Sequence, residues 1–570
     1  MVSSSILASS LGARLGVGAL LLLLLLGLIV LPVGVLLLGS VLSDAPRALR
    51  FDWAGLTLGN YRAVFAAAGF GPLVAATMGT ALVGTAGAAA IGAGLAWLAA
   101  RTDVPGRRVL DVVAVMPLLV PPLVGAFAWD ILASPRSGIL NIMLRSIGVP
   151  ITVNIYTVGG VAFADAIYYA PYVYLFVAAA LRNMDASLEE AAAISGAGRW
   201  RVVRDVTLPL VAPALLSSSL LVFVLLIELF AIPAVLGEPG NLHFISVRIW
   251  DLIGFTPPLV NQASALGALM LAVTVALVVL QHRVQGRRSV VTVSGKGQRA
   301  QLMPLRTWRW PMAALGFGYL ALVVVLPTAA LLFVALRKNI FFSTVAAMLD
   351  TSQLSFDQFG IALGDPVVRG TLWNSLLVSS ATMTIGTALY FVVAYVVHRT
   401  RLPGRRALDV VTVLPVAIPG IIIGLGYLWS WISLPVGLYG TVWIIVLAYV
   451  SQFAPQATRA IAGSLVQIHP ELEESSRICG AGFWTTLRHV VLPLARPGVA
   501  SAMILLFVLS FRELATALFL YTSDTQLFSL AMFDMWQRGS TGLVAAMALV
   551  QTAILLVVVL LGQMLRRDRI

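Results

Sequence analysis

Glu190-Ala191-Ala192-Ala193-Ile194-Ser195-Gly196-Ala197-Gly198-Arg199-Trp200 and Glu474-Ser475-Ser476-Arg477-Ile478-Cys479-Gly480-Ala481-Gly482-Phe483-Trp484 are two copies of one loop. Each runs on through Val206 or Val490 to a Leu-Pro pair, Leu208-Pro209 or Leu492-Pro493, at a constant offset of 284 residues. Arg204 and Arg488, and Pro213 and Pro497, keep the same offset. Both copies lie between apolar stretches. A short glycine-closed helix held outside a membrane suits docking onto a soluble partner, so the repeat points to a membrane protein driven by something else.

The composition agrees. With 570 residues, 59% hydrophobic and 11% charged, and a mean hydropathy of +0.96, the chain is too apolar for a soluble globular protein. About 20 apolar residues cross the hydrocarbon core as a helix. Twelve such stretches are legible, near 15-39, 73-100, 109-133, 156-181, 210-236, 262-281, 312-336, 372-397, 408-432, 440-463, 498-521 and 543-562. The expected fold is therefore an all-α polytopic membrane protein. The net charge of +13 would suit nucleic acid only as a clustered basic face on a soluble domain. Most Lys and Arg instead fall in alternate loops. With a cytoplasmic N-terminus this is the positive-inside pattern, which places both termini and both repeated loops in the cytoplasm. The first apolar run, near 25 residues long, exceeds a signal-peptide core and reads as an uncleaved helix. Cys479 is the single cysteine, so no intrachain disulfide or cysteine-rich metal site is expected. The histidines lack paired ligand spacing, and no metal is expected.

A second register strengthens the duplication. Arg101-Thr102-Asp103-Val104-Pro105-Gly106-Arg107-Arg108 matches Arg399-Thr400-Arg401-Leu402-Pro403-Gly404-Arg405-Arg406 at an offset of 298, continued by Leu110-Asp111 and Pro117 against Leu408-Asp409 and Pro415. The offset drops by 14 before the repeated loop, and the shortening is assigned to the outer loop after the third span, 134-155 against 433-439. Residues 1-281 form a first repeat with its loop at about 182-209, and residues 312-570 a second with its loop at about 464-493. Between them, 282-311 carries seven Lys or Arg and no acid, and reads as a flexible cytoplasmic tether drawn to anionic lipid. Six spans per repeat make the repeats parallel, with the pathway expected between them. No external loop is long enough to capture a solute, so capture is expected from another chain.

Within the first loop, Ser187 three residues before Glu190 has capping-box spacing, and Glu189 with Glu190 suits the positive end of a helix dipole. Gly196 and Gly198 can end that helix, and Trp200 to Val206 allows a second short helix before Leu208-Pro209. A helical hairpin with a glycine turn would explain one such loop, but not two at identical spacing.

These residues resemble the fused permease subunits of the binding-protein-dependent ATP-binding-cassette importers of type I. The resemblance covers all the spans. It implies that Glu190, Ala191, Ala192, Gly196, Leu208 and Pro209 form a coupling helix that docks in a cleft of an ATPase subunit. The second copy keeps Glu474, Gly480, Leu492 and Pro493 but has Ser475 and Ser476 for the alanines, so two docking sites are implied, not necessarily equal. No Gly-x-x-x-x-Gly-Lys-Ser/Thr occurs in the chain, so the ATPase, an expected homodimer carrying ATP and Mg, must be a separate chain and this one is expected to bind no cofactor. The implied cycle closes the ATPase dimer on ATP, rocks the halves to open toward a loaded periplasmic or lipid-anchored solute-binding protein, and resets on hydrolysis. The implied location is the bacterial cytoplasmic membrane.

Charges inside the spans are costly, about 2.5–3.5 kcal/mol each on insertion scales, and usually face a cavity or each other. Glu228 has Arg512 as its repeat partner, followed by Glu513. They either line or gate the pathway, or form a Glu228–Arg512 pair that locks the halves. Asp165, Tyr168, Tyr169 and Tyr172 correspond to Tyr449, Gln452, Phe453 and Gln456, as path lining or as an interfacial aromatic belt. Pro117, Pro121 and Pro122, with Pro415 and Pro419, are expected to kink the third span of each half. The Arg-Thr-x-x-Pro-Gly-Arg-Arg and Arg512-Glu513-Leu514 stretches resemble the ferric-iron branch, with thiamine, polyamine and phosphonate importers nearby. Two rival classes remain, an ion-coupled secondary transporter, since it too can have twelve spans in two parallel halves, and a sensory or scaffold membrane protein.

Overall fold

The computed structural model describes residues 16, 18–44, 53–185, 187–286, 302–340, 342–432, 434 and 436–567. Among the described residues each of the twelve apolar stretches is mostly helical, because inside a bilayer a backbone must satisfy its own polar groups. They are not twelve alike. Among the described residues nine helices are each long and apolar enough to cross a membrane: Gly18–Ser40, Phe70–Arg101, Val158–Asn183, Trp200–Glu228, Val260–Val284, Arg306–Ala335, Pro366–Arg399, Phe483–Arg512 and Thr541–Met564. The third and ninth spans are bent pairs, Arg107–Leu119 with Pro122–Ala133 at 93° and Arg405–Ala417 with Gly420–Ile432 at 112°. The tenth is divided at Phe453 into Val442–Gln452 and Ala454–Leu465. Among the described residues this makes nine spanning helices, or eleven with each bent pair taken as one span, beside the shorter apolar helix Val442–Gln452.

The breaks have a sequence cause. A residue before proline is pushed out of the helical region. Val120, before Pro121, has ψ 119°, and Ile418, before Pro419, has ψ 110°. Five short helices outside the spans matter below. They are α1 (Ile139–Ser146), α2 (Ser187–Ile194), α3 (Ile245–Gly254), α4 (Pro470–Ile478) and α5 (Phe528–Gln537). Helix α1 lies in the stretch where the first repeat is longer.

The tether reading falls mostly on residues 287–301, outside the described residues. Its described ends are structured. The sixth span's helix runs on to Gly286, and Arg306 already opens the seventh.

The halves are crossed. Span one packs on the ninth and tenth spans of the other half, where the Tyr427 hydroxyl (2.8 Å) and the Ser451 hydroxyl (2.6 Å) both donate to the Leu28 carbonyl. Span seven packs on the first half, with the Tyr319 hydroxyl donating to the Ile167 carbonyl at 2.8 Å. Spans two and four meet at close range, since a Cβ on Gly92 would lie 2.5 Å from the Ala170 carbonyl oxygen.

Four wide π turns explain a recurring dipeptide. Leu26–Val30, Val203–Thr207, Ala321–Val325 and Leu487–Val491 each precede a Leu-Pro pair. In each, the leucine N–H returns to the carbonyl five residues back. Proline cannot donate to the carbonyl four residues behind it and its ring crowds that oxygen, so the turn widens. The orphaned oxygen behind Pro32 is that of Leu28, the acceptor of Tyr427 and Ser451. The separate short helix expected between Trp200 and Val206 is corrected accordingly. This stretch is the first turns of span five itself, joined through its π turn.

Candidate functional site

The two repeated loops fold alike. Helix α2 closes at Gly196 (φ +85°) and α4 at Gly480 (φ +84°), in the left-handed region that glycine enters cheaply. Beyond each glycine the next N–H returns five residues, from Ala197 to the Ala192 carbonyl and from Ala481 to the Ser476 carbonyl, both at 3.0 Å. The start differs from the capping-box expectation. Asp185, not Glu190, accepts the Ser187 N–H at 3.0 Å, because a carboxylate two residues back reaches that N–H directly. This bond holds the Asp185 carboxyl below its usual range.

The exposed residues of the two loops, on α2 and α4 and just beyond them, match position by position. Leu188 and Leu472 are 47% and 46% exposed, Ile194 and Ile478 87% and 86%, Trp200 and Trp484 78% and 76%. Glu190 and Glu474 are exposed as well, as are Ala191, Ser475, Gly196, Gly480, Leu208 and Leu492. Ala192 and Pro493 are half-buried, while Pro209 is exposed. Ser476 hydrogen-bonds the Thr486 hydroxyl at 3.0 Å, so the serine substitution adds an internal bond and leaves the helix intact.

The inward faces carry a contact that motif spacing missed. Glu189 meets Arg101 at 3.6 Å, and Glu473 meets Arg399 at 2.6 Å. Both arginines are buried and both also donate to the end of span four or ten, Arg101 to the Met184 carbonyl (3.1 Å) and Arg399 to the Ile468 carbonyl (2.8 Å). The signal was present in Arg101 and Arg399, which open the second repeat register. Read as repeat markers, they showed nothing of the acids they would meet.

Deeper in the bundle, Asp165, Tyr169, Arg512 and Glu513 come together. Tyr169 stacks on Tyr172 with centroids 5.7 Å apart, and Arg512, Asp165 and Glu513 are its charged neighbours. Tyr168 and Tyr169 are buried within the bundle, which sets aside the interfacial belt for these two. Arg512 reaches across the halves to donate to the Leu118 carbonyl at 2.8 Å, at the bend of span three. No Glu228–Arg512 ion pair forms among the described residues, because the bend offers Arg512 a carbonyl instead. Glu513 accepts the Thr516 N–H and hydroxyl, both at 3.2 Å, and Thr516 donates to Gln452 at 2.5 Å. One buried oxygen of Asp165 and one of Glu228 have no partner among the described residues. No group of three or more metal-ligating side chains occurs among the described residues.

At the end remote from α2 and α4, aromatic rings from both halves close ranks. Phe533 of α5 lies 5.7 Å from Phe230 and from Trp250 of α3, and Trp536 lies 6.1 Å from Phe127. The Trp536 indole N–H donates to Asp130 at 3.1 Å.

The family model described as the binding-protein-dependent transport system inner membrane component matches twice, over residues 88–291 and 391–569. The chain belongs to that family. Both matches contain one loop helix, α2 or α4. Among curated members, a putative ferric transport system permease protein FbpB of Haemophilus influenzae is 26% identical over 76% of this chain and 66% of its own length. The ferric transport system permease protein FbpB of Actinobacillus pleuropneumoniae is 27% identical over 82% of this chain and 67% of its own. The chain therefore spans about two thirds of the length of these relatives. A putative 2-aminoethylphosphonate transport system permease protein PhnV of Salmonella typhimurium is 30% identical over 34% of this chain and 74% of its own. As family members go, this one holds both repeats in a single multi-pass membrane chain.

Proposed function

We propose that the chain is the transmembrane permease of an ATP-driven importer, with α2 and α4 as the two coupling helices. The observation that carries this is their matched outer face, in which leucine, isoleucine, tryptophan and glutamate recur at equal exposure. Large apolar side chains held in water at fixed positions are what a docking knob requires. Two equal knobs suit two equal sockets, hence a homodimeric ATPase that carries the ATP and Mg. The face bearing α2 and α4 is cytoplasmic in this reading, and 1-281 and 312-570 act as the rocking halves joined by 282-311.

The pathway runs between the halves through Asp165, Tyr169, Glu228, Arg512 and Glu513. The rings of Phe230, Trp250, Phe533 and Trp536 close it at the far end, so this conformation is shut toward the binding protein. The cargo is ferric iron, a reading supported by the names of the two FbpB relatives and by acids in the path. A solute-binding protein delivers it. Reconstitution with an ATPase and a binding protein tests this, with uptake of ferric iron, thiamine, a polyamine and 2-aminoethylphosphonate compared. ATP-dependent uptake of ferric iron alone is expected, and uptake of another solute would reassign the cargo. The one unpartnered buried oxygen on each of Asp165 and Glu228 favours a second reading, ion-coupled transport. It predicts uptake driven by a proton gradient without ATP.

A further inference from the structure

Each repeat holds its coupling helix by one arginine that ties three elements together. Arg399 ends span eight. Its Nε donates to Glu473 of α4 at 2.8 Å, its Nη2 meets the same carboxylate at 2.6 Å, and its Nη1 donates to the Ile468 carbonyl behind span ten. The Tyr395 hydroxyl adds a bond to Glu473 at 3.1 Å, and Arg477 stands 3.6 Å away. Arg101 repeats the scheme at the end of span two, with Glu189 and the Met184 carbonyl, while the Thr207 hydroxyl donates to Glu189 at 2.5 Å. Thr207 is the last residue of the π turn that enters span five.

The two nodes are built alike but tightened differently. In the second half the ion pair is short, with two guanidinium nitrogens on one carboxylate, which makes it strong and directional. In the first half it is longer, and the node is braced from outside. The Met303 N–H donates to the Arg101 carbonyl at 2.8 Å, the Asp103 N–H to the Met303 carbonyl at 3.2 Å, and the Leu305 N–H to the Asp103 carboxylate at 2.7 Å. The chain entering span seven is thereby fastened to the first node.

We infer that Arg101 and Arg399, with Glu189 and Glu473, are the positioning residues that make the coupling helices rigid with the spans, so that displacement of a knob moves the bundle. The inference rests on the docking reading above. A docked knob pushed sideways does no work on the pathway if its own foot can swivel. The inward carboxylate prevents this, since the outward Glu190 and Glu474 face the partner. The two nodes are tightened by different contacts, the second by the shorter ion pair and the first by the chain entering span seven.

Cys479, exposed at the end of α4 and the chain's single cysteine, is a native reporter. A nitroxide on Cys479 of the full chain in nanodiscs reads the freedom of α4 without any partner. Arg399→Gln should convert most of the spectrum to a fast-moving component. Combining Arg399→Glu with Glu473→Arg should restore the slow one. If Arg399→Gln fails to fold, Glu473→Gln and Tyr395→Phe serve in its place. In proteoliposomes containing an ATP-binding-cassette ATPase that binds the wild-type chain, Arg399→Gln should keep basal ATP hydrolysis. Transport per ATP should fall about tenfold, within the usual span of coupling between sites. An unchanged nitroxide spectrum, or full transport per ATP, would overturn the inference. Failure of the wild-type chain to bind any such ATPase would sink the docking reading instead, and leave the spectral result standing.

Discussion

Gly480 sits at φ +84° with no heavy atom within 4 Å of where a Cβ would stand, so Gly480→Ala meets only a backbone penalty. That penalty is about 1–2 kcal/mol. It should fray the last turn of α4 and speed hydrogen exchange at Ala481, whose N–H closes the helix, while the spans stay protected. The same substitution at Gly196 should act on Ala197. At the arginine nodes the expectation differs between halves. Removing one partner of a buried ion pair costs about 3–5 kcal/mol. Arg399→Met should approach that loss of unfolding free energy in detergent, and Arg101→Met should cost less because its pair is longer, at 3.6 Å. Equal losses would contradict the asymmetry. Sequence showed the exposed members of each loop and not the buried ones. Glu190 and Glu474 carry the motif, yet the inward bonds belong to Glu189 and Glu473, and only the helix phase tells the two acids of each pair apart.

Between residue and molecule, the Leu-Pro pairs set the shape of four elements. Their repetition was legible at Leu208-Pro209 and Leu492-Pro493, but its meaning was not, because a π turn is a response of the whole helix to one missing donor. Leu31-Pro32 and Leu326-Pro327 obey the same rule in the first span of each half. Restoring the donor with Pro209→Ala should tighten the turn at Val203–Thr207 and swing α2 relative to span five. A spin-label distance between α2 and the bundle should then change, and ATPase binding should weaken. An unmoved α2 would show that the loop, not the proline, sets the angle. The bent spans were legible from Pro121 and Pro419, since a residue before proline leaves the helix. The division of span ten was not. Pro171 and Pro455 are repeat partners, yet Val158–Asn183 continues through the first and the helix breaks just before the second. Local sequence does not separate them.

For the whole molecule, the crossing of first spans decides how the halves hold together. Span one offers its Leu28 carbonyl to Tyr427 and Ser451 of the second half, and span seven sends Tyr319 into the first. Periodicity could count these helices but could not say whose core each completes. Residues 1–294 and 295–570 expressed as separate chains should therefore assemble and co-purify without a covalent link. Two halves that purify apart would contradict the crossed packing. The same architecture leaves one matched pair of knobs on one face and an aromatic closure at the other end, which is the geometry a motor on one side and a delivery protein on the other would need. Labelling Cys479 with a membrane-impermeant maleimide tests that arrangement most directly. The account predicts no labelling in intact right-side-out spheroplasts, rapid labelling in inside-out vesicles, and protection there once the ATPase is added. Labelling from the outside, or labelling from the inside that the bound ATPase leaves unchanged, would contradict it.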